Sequence, residues 1–381
     1  MAGEPELKTA TRQRIINPLF LAWGFVLVLI GLTVGWVYLS DDIEHPSTVQ
    51  DTASATPPTT AETSSMPETA VEANSVPANL PNTEANEIIT STEVAAPIVV
   101  PKPSNIGLSA SQKPLSPAPN DNLLVRGDNG LKPALGPDGL IAWKEYARPF
   151  TGSDDAPRIA IMITDIGLST KNSTAAIDKL PGEVDLAFSP YGRNLQNWMD
   201  KARMKGHEGF LMVPTEPLNY PDNDPGPHTL IADFSERDNL IRLDWILSQV
   251  TGYVGVVNHM GSKFTASEEA LEPIITDLNS RGLMLVDSRS TRFSMAARIA
   301  RRLGMPRAMN DRFIDNVTSS DEIRRQLGEL EKTANTFGAA LGLARATPLT
   351  INEIADWAIT LEQKGIELVP VSALANRQPI K

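Results

Sequence analysis

From Arg158 onward, apolar runs of strand length recur at short intervals, each ending on a polar residue and followed by a helical pattern. That repeat limits the fold more than any other feature, because strands separated by helices are joined in parallel within one sheet. The first run, Arg158–Thr170 (RIAIMITDIGLST), is nearly continuous in apolar residues from Ile159 to Ile163 and breaks at Asp165-Ile166-Gly167. Continuity of this kind marks a strand covered on both faces. Strands are expected near 159–164, 184–189, 209–213, 253–258, 283–287, 307–313, 339–344 and 366–371. Ser235 with Asp238, Ser267, and Thr350 with Glu353 supply helix starts between them. The expected strand ends carry Asp165, Ser189, Glu216, Asn258-His259, Asp287, Asp311 or Asp315, Arg345 and Ser372. An open doubly wound sheet needs functional groups only at its switch point, whereas a barrel gathers every carboxyl end toward one axis. The distribution therefore favours a closed or nearly closed (β/α) barrel. No glycine-rich dinucleotide fingerprint follows the first strand and no Walker A sequence is present.

The rest of the chain is of different composition. Residues Pro18 to Leu39 hold no charge over 22 positions, which as a helix extend roughly 33 Å, enough to cross a bilayer. The run is too long for a signal-peptide core and passes straight into Ser40-Asp41-Asp42, so an uncleaved anchor is expected at 18–39. Lys8, Arg12 and Arg14 precede it and Asp41, Asp42 and Glu44 follow, placing residues 1–17 in the cytoplasm and the C-terminal part outside the inner membrane. Residues 40–138, rich in Pro, Thr, Ser and Glu, read as a disordered linker. Order is expected again over 139–381, beginning with Trp143, Tyr146 and Phe150 packed on the domain edge. A net charge of −12 with no basic stripe excludes nucleic acid as a partner. The absence of cysteine excludes disulfides and thiolate chemistry.

Candidate chemistry centres on two strand ends. In Tyr253–Thr265 (YVGVVNHMGSKFT) a strand finishes at Asn258-His259 before small residues turn the chain. Asp165 and His259 together suit a hydrolytic divalent metal, zinc being the usual choice for such donors. Turn-forming, capping or hydrogen-bonding roles fit the same two residues. His207 and His228 lie in polar stretches and read as exposed loop residues without a role. The long connection 214–233, with Pro217, Pro221, Pro225 and Pro227, reads as a lid, a substrate-binding loop or a rigid surface turn. Arg289, Arg292, Arg298, Arg301, Arg302 and Arg307 read mostly as a solvated basic surface, with Arg289 close enough to Asp287 to support a site.

The segments IMITDIGLS, GFLMVPTEP, GVVNHMGSKFT, LMLVDSRS and IADWAITLEQKGIELVPVSAL occur in an order that resembles the divergent polysaccharide deacetylase family, distant relatives of carbohydrate esterases with a NodB-type barrel. The likeness spans about Gly139–Leu374. It implies a distorted (β/α) barrel acting on cell-envelope polysaccharide or peptidoglycan, hydrolysing the carbon–nitrogen bond of acetamido groups. It also implies that Asp165 and His259 are metal ligands and that Glu216 faces the same mouth. Two positions depart from the pattern of true deacetylases: Thr164 stands where their base is expected, and Lys263 where their second histidine is expected. Asp287 as a third ligand or proton carrier and Glu216 as a substitute base are the remaining catalytic candidates, with Asn258, Ser262 and Arg289 as substrate-binding ones. A glycan-binding or scaffold protein without catalysis, and a metal-free glycosidase using Asp165 and Glu216, are the competing expectations.

Overall fold

The computed structural model describes residues 112–153 and 155–380. The expected anchor at 18–39 and the expected linker as far as residue 111 lie outside the described residues. Among the described residues no helix is long and apolar enough to cross a membrane.

After a short hairpin, β1 (Leu124–Gly127) with β2 (Gly130–Pro133), and a turn of helix α1 (Ala142–Glu145), the predicted alternation begins. The elements are β3 (Arg158–Ile166), α2 (Thr170–Lys179), β4 (Asp185–Phe188), α3 (Leu195–Met204), β5 (Gly209–Thr215) and α4 (Glu236–Leu247). They continue with β6 (Gly255–Met260), α5 (Glu268–Ser280), β7 (Met284–Asp287), α6 (Ala296–Arg302), β8 (Arg307–Met309) and β9 (Arg312–Phe313). The last are α7 (Ser320–Phe337), β10 (Ala339–Arg345), α8 (Pro348–Ala358) and β11 (Glu367–Leu368). Strands β3 to β11 form one parallel sheet in the order β8-β7-β6-β5-β4-β3-β10-β9. Strand β11 pairs with β3 at Arg158–Ile159, and β4 joins the same edge from Met162 onward. Every residue of β4 and β5 is buried, as the continuous apolar runs require of strands covered on both faces.

The single strand expected over 307–313 is two short ones at opposite ends of the strand order, and that difference explains how the sheet curls. Met309 is still paired with β7, whereas Arg312 is paired with β10. Between them, the Asn310 N–H donates to the Asp287 carbonyl (2.8 Å) and the Asp311 N–H to the Leu341 carbonyl (2.8 Å). The buried Asn310 side chain accepts from Leu343 N–H (3.2 Å) and donates to the Ser288 carbonyl (3.1 Å). One segment thus holds both ends of the sheet, and a buried amide satisfies the backbone groups exposed where pairing changes sides.

The helix starts behave as expected at Ser235 and Ser267, whose hydroxyls accept from the Asp238 and Ala270 N–H groups. Helix α8 starts earlier than expected. Thr347 is its cap and Pro348 its first residue, where a missing N–H costs nothing.

Two sequence expectations are corrected here. Residues 112–138, assigned to the linker, are ordered: Leu123 is fully buried, Gln112 donates to the Leu180 carbonyl (2.9 Å), and Lys132 pairs with Asp244 on α4. Buried Arg203 clamps this segment by donating to the Ser116 carbonyl (2.7 Å) and the Tyr146 carbonyl (2.9 Å), and the Tyr146 hydroxyl accepts from Asn120 N–H (3.0 Å). This polar segment is therefore held by hydrogen bonds between backbone and side-chain groups on both sides, together with buried Leu123, rather than by an apolar core of its own. His207 is likewise buried, not exposed, its ring nitrogens facing the Val184 (2.7 Å) and Ile177 (3.1 Å) carbonyls. The expected packing of Trp143, Tyr146 and Phe150 on the domain is observed.

At the amino ends of the strands Asp185 and Glu208 are wholly buried against each other. Glu208 accepts from Arg148 N–H (2.7 Å) and the Ser372 hydroxyl, and Asp185 from Val371 N–H (2.9 Å). Burial, reinforced by Glu208, pushes the Asp185 carboxyl well above its ordinary range, so it is held protonated.

Two outcomes follow. Leu123→Ala should destabilise the domain by about 2–5 kcal/mol, read as a lower urea midpoint, whereas a true linker residue would give no change. The proton on Asp185 is bound in the folded state and released on unfolding. Its stabilising contribution is therefore complete below the ordinary carboxylate pKa of about 4 and lost as pH rises toward the folded value. Asp185→Asn should remove that decline, so the difference in midpoint between variant and wild type should grow in the variant's favour from pH 4 to pH 8. Parallel curves would refute the assignment.

Candidate functional site

The carboxyl ends of the strands surround a cleft of about 750 Å³, within the size range of small-ligand sites. Asp165 closes β3, Asn258, His259 and Met260 close β6, and Arg345 closes β10. Ser288, Arg289 and Ser290 come from the loop after β7, and Asp315 and Asn316 from the loop after β9. Asn219 and Asn223 come from the 214–233 connection, so that proline-rich stretch does contribute a wall. A second depression of about 550 Å³ beside Asp128, Ser235 and Asp244 lies on the outer face of α4 and holds none of these groups.

Backbone conformation marks the same mouth. Asp165 (φ 66°), Met260 (φ 57°) and Arg289 (φ 50°) are in the left-handed region, which side-chain-bearing residues rarely adopt. Gly167 (φ 94°) and Gly261 (φ 92°) complete the first two turns, and a Cβ at Gly261 would run into Thr215. The small residues of both motifs are thus required by the turns that aim Asp165 and His259 into the cleft.

Asp165 and His259 do come together, close enough to influence each other's charge. Burial raises the Asp165 carboxyl, opposed by His259 and then Arg345. Burial lowers the His259 imidazole, opposed by Asp165. Neighbouring groups are more committed. Thr164 donates to the Ala344 carbonyl (3.3 Å), tying β3 to β10. Asn258 spends its amide on Ser288, donating to the hydroxyl (2.8 Å) and accepting from the N–H (2.8 Å). The Ser262 hydroxyl accepts from Leu218 N–H (2.9 Å). Asp315 accepts from Arg345 N–H (3.0 Å) and the Thr350 hydroxyl (3.0 Å).

Both residues expected to handle protons are placed otherwise. Glu216 does not line the cleft. Its carboxylate accepts from Ala232 N–H (2.8 Å) and pairs with Lys263 (2.9 Å), while its carbonyl accepts from the Lys263 and Phe264 N–H groups (3.1 Å each). It is the knot that ties the two ends of the 214–233 connection to the turn after β6. Asp287 is buried below the mouth, accepting from Arg289 N–H (2.8 Å) and the Ser294 hydroxyl (2.9 Å). Burial raises its carboxyl against those bonds.

The expected zinc site is not completed. Lys263, where a second histidine was looked for, reaches Glu216 and Asp233 (2.7 Å) instead of the cleft. Among the described residues no group of three or more His, Asp or Glu is placed to hold a metal ion. His228 also differs from expectation, stacking on Trp245 at 3.5 Å with rings 3° from parallel. The stack anchors the 214–233 connection to α4, and the His228 backbone N–H donates to the Tyr191 hydroxyl (3.1 Å) in the loop after β4. Asp315 and Arg345 are cleft residues that strand-end position had already marked without a role. Asn219 and Asn223 carried no sequence signal.

A curled parallel sheet flanked by helices, with its polar cleft at the carboxyl ends, defines an α/β protein of the deacetylase type of fold. The profile of the divergent polysaccharide deacetylase family matches residues 161–375. The chain belongs to that family. It is 27% identical over 195 residues to an uncharacterized protein of Haemophilus influenzae (strain ATCC 51907 / DSM 11121 / KW20 / Rd), covering 51% of this chain and 68% of that one. It is 26% identical over 227 residues to the uncharacterized protein YibQ of Escherichia coli (strain K12), covering 59% and 69%. The crystal structure of uncharacterized protein ATU2773 from Agrobacterium tumefaciens C58 is 40% identical, covers 64% of this chain and 99% of that chain, and superposes with a TM-score of 0.63.

If Glu216 is a knot rather than a base, Lys263→Met should leave a buried carboxylate short of its cation and clearly lower the melting temperature. Asp233→Asn, which alters only the exposed partner, should cost under about 1 kcal/mol. Thermal melts of the two variants test this, and equal melting temperatures would count against the knot.

Proposed function

We propose that this protein is an envelope-facing glycan-recognition protein built on the deacetylase fold, binding N-acetylated polysaccharide or peptidoglycan strands in the cleft between Asp165, His259 and Arg345. The observation that carries this reading is the cleft itself. It keeps the paired Asp165 and His259 and the strained turns that aim them, while the position that would extend them to a metal site holds Lys263, already bound to Glu216. Strain at non-glycine residues persists where the surroundings enforce it, and such residues gather at ligand sites. Hydroxyl, amide and charged groups along the walls suit the hydroxyl and acetamido groups of a sugar. Exposed Leu218 and Tyr220 after β5 and Phe293 after β7 offer apolar surface to pyranose faces. The uncharged run at 18–39 would hold the domain at the inner membrane on its extracytoplasmic side.

A second reading, hydrolysis of the acetamido group at the same cleft, is favoured by the opposed shifts of the Asp165 and His259 side chains. A carboxyl raised by burial beside an imidazole lowered by it forms an acid–base pair able to move a proton to or from attacking water. The donor set supports no metal-assisted step. With Glu216 bound to Ala232 and Lys263, a carboxylate pair for glycoside cleavage is not supported either.

The test uses the full-length chain with oligomers of N-acetylglucosamine and with soluble peptidoglycan fragments, followed by calorimetric titration and by acetate release. Asp165→Asn and His259→Gln should melt within about 1 kcal/mol of wild type, since burial already opposes each charge more than its partner favours it, yet weaken binding at least tenfold. Wild-type binding without acetate release supports recognition, and release abolished by either variant supports hydrolysis. Large losses of stability with unchanged binding would sink the site.

A further inference from the structure

The four acidic and arginine side chains lining the cleft are unequally matched. Asp165 is set against His259 and Arg345. Asp315 faces Arg345, whose guanidinium donates to the Asp315 carbonyl (2.7 Å) with its Nε 3.6 Å from the carboxylate. The Arg289 guanidinium makes no hydrogen bond or salt bridge among the described residues. Its backbone is nevertheless held in the left-handed region at φ 50°, a conformation that side-chain-bearing residues rarely adopt.

That conformation is maintained from below. Asp287, 2% exposed, accepts the Arg289 N–H at 2.8 Å and is itself fixed by the Ser294 hydroxyl at 2.9 Å. Ser288, just before Arg289, is pinned through its N–H and hydroxyl to Asn258 at the end of β6. Ser290, just after it, donates to the Met260 carbonyl at 2.6 Å. A backbone so fully constrained on both sides presents a planar, permanently charged fork to the cleft, where it has no hydrogen-bond acceptor among the described residues and feels the buried Asp287 carboxyl only through space. Guanidinium matches the two oxygens of a carboxylate or phosphate, and in a partly desolvated cleft such a pair is stronger than a neutral hydrogen bond.

We propose that Arg289 is the anion-recognising residue of the cleft, that the glycan bound there is an acidic one whose carboxylate lies on the Arg289 guanidinium, and that Asp287 is the positioning residue. This rests on the reading of the cleft as a glycan site. Neutral portions of the same strand meet the asparagine side chains of the 214–233 connection and the serine side chains around Arg289. The carboxylate supplies the hydrogen-bond acceptor that the Arg289 guanidinium does not have among the described residues.

The experiment titrates the full-length chain with one N-acetylated oligosaccharide bearing a carboxylate on alternate sugars, as a lactyl ether, and with the same oligosaccharide after reduction of the carboxyl to alcohol. Wild type should bind the acidic form at least tenfold more tightly, with the preference shrinking as salt rises. Arg289→Gln should bind both forms with the affinity wild type has for the reduced one. Asp287→Ala should lose much of the preference and Asp287→Asn, which keeps an oxygen for the Arg289 N–H, should retain it; a purely structural Asp287 would lower stability without moving the ratio. Equal binding of both forms by wild type overturns the role of Arg289 and leaves glycan recognition standing. Failure of both forms to bind overturns both. A glycerol phosphate oligomer serves as a third probe, and binding of it alone would overturn the carboxylate in favour of a phosphodiester.

Discussion

The shared segment 307–313 is the constraint on which the cleft depends. A parallel sheet whose edges were free would leave β8 and β9 apart and the loops after β7 and β10 on separate sides. Because Asn310 bonds toward β7 and β10 at once, the loop carrying Arg289 and the strand end carrying Arg345 line the same cleft. Asp165 on β3 and His259 on β6 then fall between them, since β6 and β3 lie between β7 and β10 in the strand order and all four run parallel with their carboxyl ends toward the cleft. Gln378 supports the arrangement by accepting from Met309 N–H (2.7 Å) and donating to the Met309 carbonyl (2.6 Å) and Asp311 (2.6 Å). Buried amides are well suited to such a junction, because each satisfies a donor and an acceptor where a regular ladder breaks off.

How much of this could be read from the residues varies with the physics involved. The strands were legible because burial on both faces forces continuous apolar runs, as in Ile159–Ile163, and the ends of those runs correctly located Asp165 and His259. The division of 307–313 was not, since RAMNDRF has the composition of one strand and only the choice of partner separates its halves. Residues 112–138 were misread for a related reason. Their polarity suggests a chain that can bury nothing, yet Arg203 and Tyr146 hold their backbone groups and the Gln112 side chain donates to the Leu180 carbonyl, pairings that composition does not record. Glu216 and Asp287 occupy strand ends like the ligand-facing residues do. Which way a carboxylate turns is decided by the nearest donors, here Ala232 and Lys263 for one and Arg289 and Ser294 for the other.

The two departures from the pattern of true deacetylases have structural work of a specific kind. Thr164 donates across to β10, and Lys263 joins the turn after β6 to Glu216 and to Asp233 of the 214–233 connection. A second histidine at Lys263 could reach a metal only by giving up both ion pairs, and Glu216 would then be a buried carboxylate held by a single backbone N–H. The same residue therefore cannot serve the wall and a metal at once. In this chain it serves the wall, so both ends of the 214–233 connection are fixed through Lys263 at Glu216 and Asp233, and the stretch between them by the stack of His228 on Trp245. A wall held in place before any ligand arrives lowers the conformational cost of binding. Of the two uses of an Asp–His cleft, recognition benefits directly from that rigidity, whereas hydrolysis would still need the Asp165 and His259 pair to change protonation in a site whose burial already opposes charge on both.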